Sequence, residues 1–202
     1  MNSKFIRPSA EIKWLSSKTS DAWIDLALSN PNDILVDHAH CERKAAGMAI
    51  ELMFRYFSHK GLSEVLSPVA REELEHYERV LNLIVAKGDY LRYLPAPPYG
   101  AKLSKNIRKK EPYRMLDSFL IASLIEARSH ERMYLISLNT LDNQLQELYS
   151  DLLLSESKHF GIYWKLSIKN FSKELVEDRM IQLSNIESDI LSELYPKPRI
   201  HS

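Results

Sequence analysis

Apolar residues recur every three or four positions along most of the chain, which is the spacing of amphipathic α-helices rather than of strands. The pattern predicts four long helices, at about 33–59, from an uncertain start to 87, at about 112–138 and at about 142–168. A short helix, about 21–28, precedes them, and a fifth long helix, about 172–194, follows them. The chain is therefore expected to be all-α.

Local signals set the predicted helix ends. Asn32 is a capping residue in front of the first long helix, and Gly61 is its stop signal. The start of the second long helix stays open. It lies either near Leu62, with a kink, or after Ser67, with Pro68 in the first turn.

Residues 88–112 interrupt the helical pattern with a cluster of prolines and tyrosines. We interpret this segment as a long crossover between two antiparallel helix hairpins. A four-helix bundle with one long crossover is the ferritin-like topology. The whole chain, residues 1–202, is expected to form one such domain, with the short helix and the fifth helix added to the bundle.

A Glu-x-x-His tetrad occurs twice, at Glu73–His76 and at Glu156–His159. Residues three positions apart share one face of a helix. Each tetrad has a further Glu upstream, 31 residues before Glu73 and 30 before Glu156. Two single Glu and two Glu-x-x-His motifs on four helices are the ligand pattern of ferritin-like di-iron and di-manganese proteins. The candidate metal ligands are Glu42, Glu73, His76, Glu126, Glu156 and His159.

The surroundings of the tetrads favour a buried metal site over a solvated salt-bridge face. Glu73 shares its helix stripe with Val69, Ala70 and Val80. Buried carboxylates need a compensating charge, which metal ions provide. Carboxylate and imidazole ligands suit iron or manganese. The single cysteine, Cys41, excludes a sulfur-rich site and an appended rubredoxin-type electron carrier.

Three residues near the candidate ligands need separate consideration, one as a rival ligand and two as groups that could orient a ligand. Glu131 is the main rival to Glu126, but the two point about 140° apart on a helix, and the matched hairpin spacing favours Glu126. His38 and His130 lie four residues from Glu42 and Glu126. Each is a candidate for a hydrogen bond that orients its ligand, and each is equally compatible with an ordinary packed or partly exposed histidine.

Charge is balanced overall, with 27 basic and 27 acidic residues, so any contact with nucleic acid requires a local patch. The crossover supplies one, opposed only by Glu111 and flanked by tyrosines, although such runs are often simply solvated. Its candidate RNA contacts are Lys102, Lys105, Arg108, Lys109, Lys110 and Arg114. The sequence shows no signal-peptide core and no apolar run of transmembrane length.

In combination, these motifs resemble the tRNA 2-methylthio-N6-isopentenyladenosine hydroxylases, the MiaE-like non-haem di-iron proteins. The resemblance is carried by the segments 37–46, 72–77, 94–100, 124–129 and 155–160. It implies an O2-dependent monooxygenase of the bacterial cytoplasm that hydroxylates the isopentenyl group of a modified adenosine beside the anticodon. It also implies two iron ions on the six candidate ligands, an electron-donating reductase, and a tRNA anticodon arm bound at the basic crossover.

Two alternatives remain open at this level. A ferroxidase or iron-storage protein fits the predicted topology, but the basic crossover and the lack of an acidic iron-entry run oppose it. A metal-free helical interaction module is the other. Four further arginines are weaker candidates for RNA contact, because they can pair with helix carboxylates instead: Arg71, Arg92, Arg128 and Arg132.

Overall fold

A computed structural model describes residues 4–8 and 11–202, and within these ranges the secondary structure consists of seven helices without a strand. The helices are α1 (Asp21–Ser29), α2 (Pro31–Arg55), α3 (Leu62–Ala86), α4 (Tyr99–Ser104), α5 (Tyr113–Asn139), α6 (Asn143–Asn170) and α7 (Lys173–Leu191). The all-α prediction is confirmed. None of the helices in the described ranges has the length and apolar character needed to cross a membrane.

The chain divides into two compact units. The first, Asn30–Pro95, is called the hairpin unit here, and its helices α2 and α3 pack against each other. The second, called the main unit, joins the described residues up to Ser29 with residues 96–202. In the main unit α5 packs along α6, and α1 and α7 also contact α5. The expectation of one domain over residues 1–202 stays a prediction.

The first long helix differs from its predicted bounds at both ends. It begins at Pro31 with Asn30 as its N-cap, not after Asn32. Proline is compatible with the first helical position because the N–H that it lacks has no partner there. The helix ends at Arg55 rather than His59, and a turn leads to Gly61, whose φ of 82° lies in the left-handed region that favours glycine.

The second long helix takes the earlier of the two starts that the sequence left open. It begins at Leu62, and Pro68 lies inside it. Leu66 and Val69 on either side of Pro68 are both buried, so apolar packing holds this turn in the helix. The C-terminal helix α7 is shorter than predicted, since it ends at Leu191 rather than near 194.

The crossover contains a short helix, α4, that the sequence pattern did not predict. Prolines precede it directly, which concealed it from the helical periodicity. Tyr99 and Leu103 of α4 are buried in one cluster with Leu120 of α5 and Leu183 of α7. The crossover is therefore anchored in the core of the main unit by its own apolar side chains.

Candidate metal centre and basic crossover

The hairpin unit brings three of the candidate ligands together. Glu42 comes from α2, Glu73 and His76 come from α3, and all three are buried. His76 Nδ1 lies 3.3 Å from Glu42 Oε2 and 3.8 Å from Glu73 Oε2. Two ligands that each lie about 2.1 Å from one ion are roughly 3–4 Å apart. The separations therefore suit ligands of a shared cation.

His38 contacts the carboxylate of the candidate ligand Glu42 on its own helix. It precedes Glu42 by one helical turn, so the two side chains lie on the same face of α2. His38 Nε2 is 2.5 Å from Glu42 Oε1, and the imidazole is 1% exposed. At this separation His38 is close enough to orient the Glu42 carboxylate.

The main unit carries the second tetrad on α6. Glu156 and His159 are both buried, and His159 Nδ1 lies 4.0 Å from Glu156 Oε1. Glu126 is buried on α5, the helix that packs along α6. The α5–α6 hairpin thus repeats the burial of one Glu and one Glu-x-x-His that is found in the α2–α3 hairpin.

The chemistry of the donor set fits a metal of the iron or manganese type. Each unit buries carboxylate and imidazole side chains of a kind that can hold a metal ion, Glu73 and His76 in the hairpin unit and Glu156 and His159 in the main unit. Oxygen and imidazole nitrogen donors match the ligand preferences of these ions. A cation also compensates the cost of placing carboxylates in an interior.

Glu131, the rival of Glu126, has a different role. Its carboxylate accepts hydrogen bonds from the backbone N–H of Thr19 at 3.1 Å and from the Thr19 hydroxyl at 2.7 Å. It also pairs with Arg128 Nη1 at 2.5 Å. These contacts fasten the N-terminal segment to α5, which supports the choice of Glu126 as the candidate ligand.

His130 lies in an aromatic setting. Its ring makes edge contacts with Tyr134 and Phe160, at centroid distances of 6.3 Å and 5.8 Å. Burial lowers the pKa of His130 below its ordinary value, against the opposing effect of the Glu156 and Glu131 charges. The imidazole is therefore neutral at pH 7.

The basic crossover presents most of its lysines to solvent. Lys102, Lys105, Lys109 and Lys110 are exposed, whereas Arg108 and Arg114 are half-buried. The Arg108 guanidinium also lies over the Tyr113 ring at 4.5 Å. Four cations are thus available to a phosphate backbone.

Two of the weaker arginine candidates are buried and cannot reach an RNA. Arg128 donates through Nε to Glu187 Oε1 at 2.7 Å and through Nη2 to Oε2 at 2.8 Å. Burial opposes the charge of Arg128, but Glu187 and Glu131 raise its pKa above the ordinary value. Burial, with the charge of Arg128, lowers the pKa of Arg132 to about 9, so it stays protonated at neutral pH.

Arg92 pairs with acidic groups of its own unit. Such pairing was the predicted alternative to a contact with RNA. Its Nη1 donates to Asp89 at 2.7 Å, and its Nη2 contacts Asp33. The same segment is held by His40, whose Nε2 lies 2.8 Å from the Arg92 carbonyl oxygen. These contacts join the end of the hairpin unit to α2.

The buried acids of the main unit were not predicted from the sequence. Glu187 lies on the apolar stripe of α7 with Met180 and Leu183, and Asp117 lies beside Leu116 at the start of α5. An acidic residue within an apolar stripe was the available signal. It indicates a buried ion pair, but it does not identify the distant partner.

The matching family model and two named relatives indicate one family. The family model described as tRNA-(MS[2]IO[6]A)-hydroxylase (MiaE) matches residues 7–202. A Pseudomonas putida protein named tRNA 2-(methylsulfanyl)-N(6)-isopentenyladenosine(37) hydroxylase is 36% identical over 190 residues, which cover 94% of this chain and 92% of that relative. A Salmonella typhimurium protein of the same name is 26% identical over 240 residues and covers 95% and 88%.

A solved structure is also similar. It is named "Protein 43 with aldehyde deformylating oxygenase activity from Synechococcus", is 55% identical, and has a TM-score of 0.92. The match covers 95% of this chain and 96% of that one. It confirms the predicted ferritin-like fold class.

Proposed function

Because the chain belongs to the MiaE family of tRNA hydroxylases, we propose that it hydroxylates the isopentenyl group of 2-methylthio-N6-isopentenyladenosine in tRNA. The two relatives from Pseudomonas putida and Salmonella typhimurium carry the name of this reaction. The structural observation that carries the proposal is the burial of one Glu and one Glu-x-x-His motif in each of the two helix hairpins. A tRNA substrate would place the enzyme in the cytoplasm.

The proposed cofactor is a pair of iron ions. The ligands would be Glu42, Glu73, His76, Glu126, Glu156 and His159. When bound, such a centre supplies the activation of O2. The donor chemistry, the burial of all six residues and the repetition of the motif in two hairpins support this assignment over a metal-free module.

The residues of the chain itself would prepare the site in two ways. His38 would keep the Glu42 carboxylate in one orientation, since its Nε2 already lies 2.5 Å from Oε1. The burial of the ligand side chains excludes bulk water, which protects a reactive site from side reactions.

The stoichiometry of the reaction demands a further partner. Inserting one oxygen atom of O2 into a C–H bond leaves the other atom to become water, and this consumes two electrons and two protons. An external reductant must supply the electrons. We therefore propose an electron-donating reductase as the second protein partner.

The basic crossover is the proposed contact for the anticodon arm. Its exposed lysines, with the half-buried Arg108 and Arg114, would neutralise phosphates. Such contacts fix the position of an RNA without reading its sequence. Recognition of the modified base itself would come from the site where the chemistry occurs.

A second candidate function is oxygenation of an aldehyde. It is favoured by the 55% identical structure that is named for aldehyde deformylating oxygenase activity. A metal centre of the same type could serve either substrate, so ligands alone do not decide between them. The basic crossover favours tRNA, because an aldehyde needs no array of cations.

One experiment separates the candidates. The iron-loaded protein is incubated with O2, a reductant and tRNA that carries the 2-methylthio-isopentenyl base, and the nucleosides are then analysed. A parallel reaction contains a fatty aldehyde and is assayed for hydrocarbon. We expect the hydroxylated nucleoside, and none with Glu73→Ala. Hydrocarbon without the hydroxylated nucleoside would favour the aldehyde reaction, and oxidation of excess Fe(II) with neither product would favour a ferroxidase.

A further inference from the structure

A buried carboxylate organises the basic crossover of the main unit. Asp117 of α5 is 0% exposed. It accepts hydrogen bonds from Arg108 through the backbone N at 2.8 Å, Nε at 2.9 Å and Nη2 at 2.7 Å. Arg179 of α7 donates to the same carboxylate through Nε at 2.9 Å and Nη2 at 3.1 Å. The crossover and two helices therefore share one acidic group.

The second arginine also holds the crossover directly. Arg179 Nη2 donates to the carbonyl oxygen of Asn106 at 2.8 Å. We call Asp117, Arg108, Arg179 and Asn106 the Asp117 cluster. A planar guanidinium group that donates several hydrogen bonds to one carboxylate fixes the orientation of the two groups as well as the distance between them. The cluster thus fixes the path of residues 106–108, which belong to no helix.

The charge state of the cluster supports this role. Burial raises the pKa of Asp117, but the hydrogen bonds of Arg108 and Arg179, with the charge of Arg179, outweigh it and lower the pKa below the ordinary value. Asp117 is therefore ionised at neutral pH. Two guanidinium groups on one carboxylate leave the cluster with a net positive charge.

We propose that Asp117 is a positioning residue that presets the basic crossover for an RNA phosphate backbone. The inference rests on the proposed function. Lys105 and Lys109 flank the anchored segment 106–108 in sequence, and Lys110 follows. All three are exposed. Cations carried on a segment that is already ordered lose less conformational freedom when a phosphate binds. An unanchored segment of the same charge would bind more weakly.

The test compares Asp117→Asn with Asp178→Asn. Both substitutions remove one negative charge, and Asp178 is an exposed residue of α7 next to Arg179. On net charge alone, both variants should bind RNA more tightly. The proposal instead predicts that Asp117→Asn weakens binding of an anticodon-arm RNA by roughly tenfold, while Asp178→Asn does not weaken it. Binding is measured by titration at several salt concentrations.

Hydrogen exchange supplies a readout without RNA. The Arg108 amide donates to Asp117, so exchange over residues 105–110 should accelerate in Asp117→Asn and not in Asp178→Asn. Unchanged exchange with unchanged or tighter binding would overturn the proposal. If Asp117→Asn does not fold, Arg179→Gln is measured in its place, and hydrogen exchange over residues 105–110 then decides, because the loss of a cation by itself also weakens RNA binding. Faster exchange would support the proposal, and unchanged exchange would overturn it.

A further variant separates this inference from the proposed function. The double variant Lys109→Gln, Lys110→Gln keeps the Asp117 cluster but removes two exposed cations. We expect weaker RNA binding with a shallower salt dependence. If this double variant hydroxylates tRNA at the wild-type rate and binds RNA with unchanged affinity, the RNA-binding role of the crossover is overturned. The enzymatic function is not affected by that result. Failure of wild type to act on tRNA would count against the function itself.

Discussion

The two long hairpins, α2–α3 and α5–α6, bury the same kinds of candidate ligand but differ on the helix face behind them. Glu42 and Glu126 are each followed two positions later by a basic residue. In α2 this residue is Lys44, which is exposed. In α5 it is Arg128, which is 0% exposed. The motif is repeated, whereas its surroundings are not.

The difference arises because α5 has more neighbours than α2 within its unit. α5 contacts α1, α6 and α7. Arg128 donates to Glu187 of α7, and Arg132 donates to the Ile200 carbonyl oxygen at 2.5 Å while its guanidinium lies 4.5 Å from the centre of the Trp23 ring. Buried charged side chains therefore lie behind Glu126, whereas the matching side chain behind Glu42, Lys44, is exposed to solvent. The face of α5 that carries Glu126 belongs to the candidate metal site. The opposite face, which carries Arg128, packs within the main unit.

The histidines next to the ligands show the same asymmetry. Glu42 has His38 one turn before it, and Glu126 has His130 one turn after it. His38 contacts its ligand directly. His130 instead packs against Tyr134 and Phe160. Equal spacing from a candidate ligand therefore does not lead to the same contacts.

The largest expected effect tests whether the two hairpins contribute equally to catalysis. Glu73→Ala in α3 and His159→Ala in α6 should each lower hydroxylation more than about a hundredfold, since each removes a ligand outright. Binding of tRNA should remain, because the substitutions lie away from the basic crossover in sequence. Nucleoside analysis measures the first effect, and RNA titration measures the second.

Matched controls come from the same tetrads. Glu75 and Lys158 are exposed neighbours of His76 and His159, so Glu75→Ala and Lys158→Ala should retain activity. Full activity after the loss of a ligand from one hairpin would show that this hairpin does not hold the metal.

The second effect concerns stability and should appear in only one hairpin. Arg128→Met leaves the buried Glu187 carboxylate without the cation that pairs with it and should lower the free energy of unfolding by about 3–5 kcal/mol. Lys44→Met, at the matching position of α2, should change it by less than about 0.5 kcal/mol. Urea denaturation of both variants measures the difference. Equal losses would contradict the asymmetry of the two helix faces.

The third effect concerns iron affinity. His38→Ala should weaken iron binding by about 10–100-fold, because it removes the group that orients Glu42. His130→Ala should have a smaller effect, since the described contacts of this ring are aromatic. Anaerobic titration with Fe(II) compares the two. A larger loss in His130→Ala would reverse the roles assigned here.

The smallest effect is a pH dependence of stability. Burial lowers the pKa of His130 below 6.5 in the folded state, so the unfolded chain takes up this proton first as the pH falls. Wild type should lose stability below about pH 6.5, by at most about 1.4 kcal/mol per pH unit from this group. His130→Leu should lack that contribution. Parallel slopes for both proteins between pH 7 and pH 5 would argue against it.

The parts that could be predicted from sequence are those set by local spacing. The Glu-x-x-His tetrads lie on helices because three-residue spacing and apolar stripes are properties of single segments. The buried contacts that hold Arg128 and Arg132 behind the candidate site could not be predicted. Glu187 lies 59 residues from Arg128, and the Ile200 carbonyl lies 68 residues from Arg132. No periodicity relates such residues, and only packing brings them together.

The crossover shows the same limit. Its prolines predicted an interruption, and that interruption is present, but α4 was missed because six residues are too few for a periodic signal. The basic residues were visible as a cluster in sequence. The anchoring of Arg108 by Asp117 and Arg179 was not, because Arg179 comes from α7, 62 residues after Asp117.

The most direct test of the central claim is the iron content per chain after anaerobic loading. We expect two irons per chain in wild type, with loss of bound iron in Glu73→Ala and in His159→Ala alike. Less than one iron per chain in wild type, or retention of both irons when a ligand of either hairpin is removed, would contradict it.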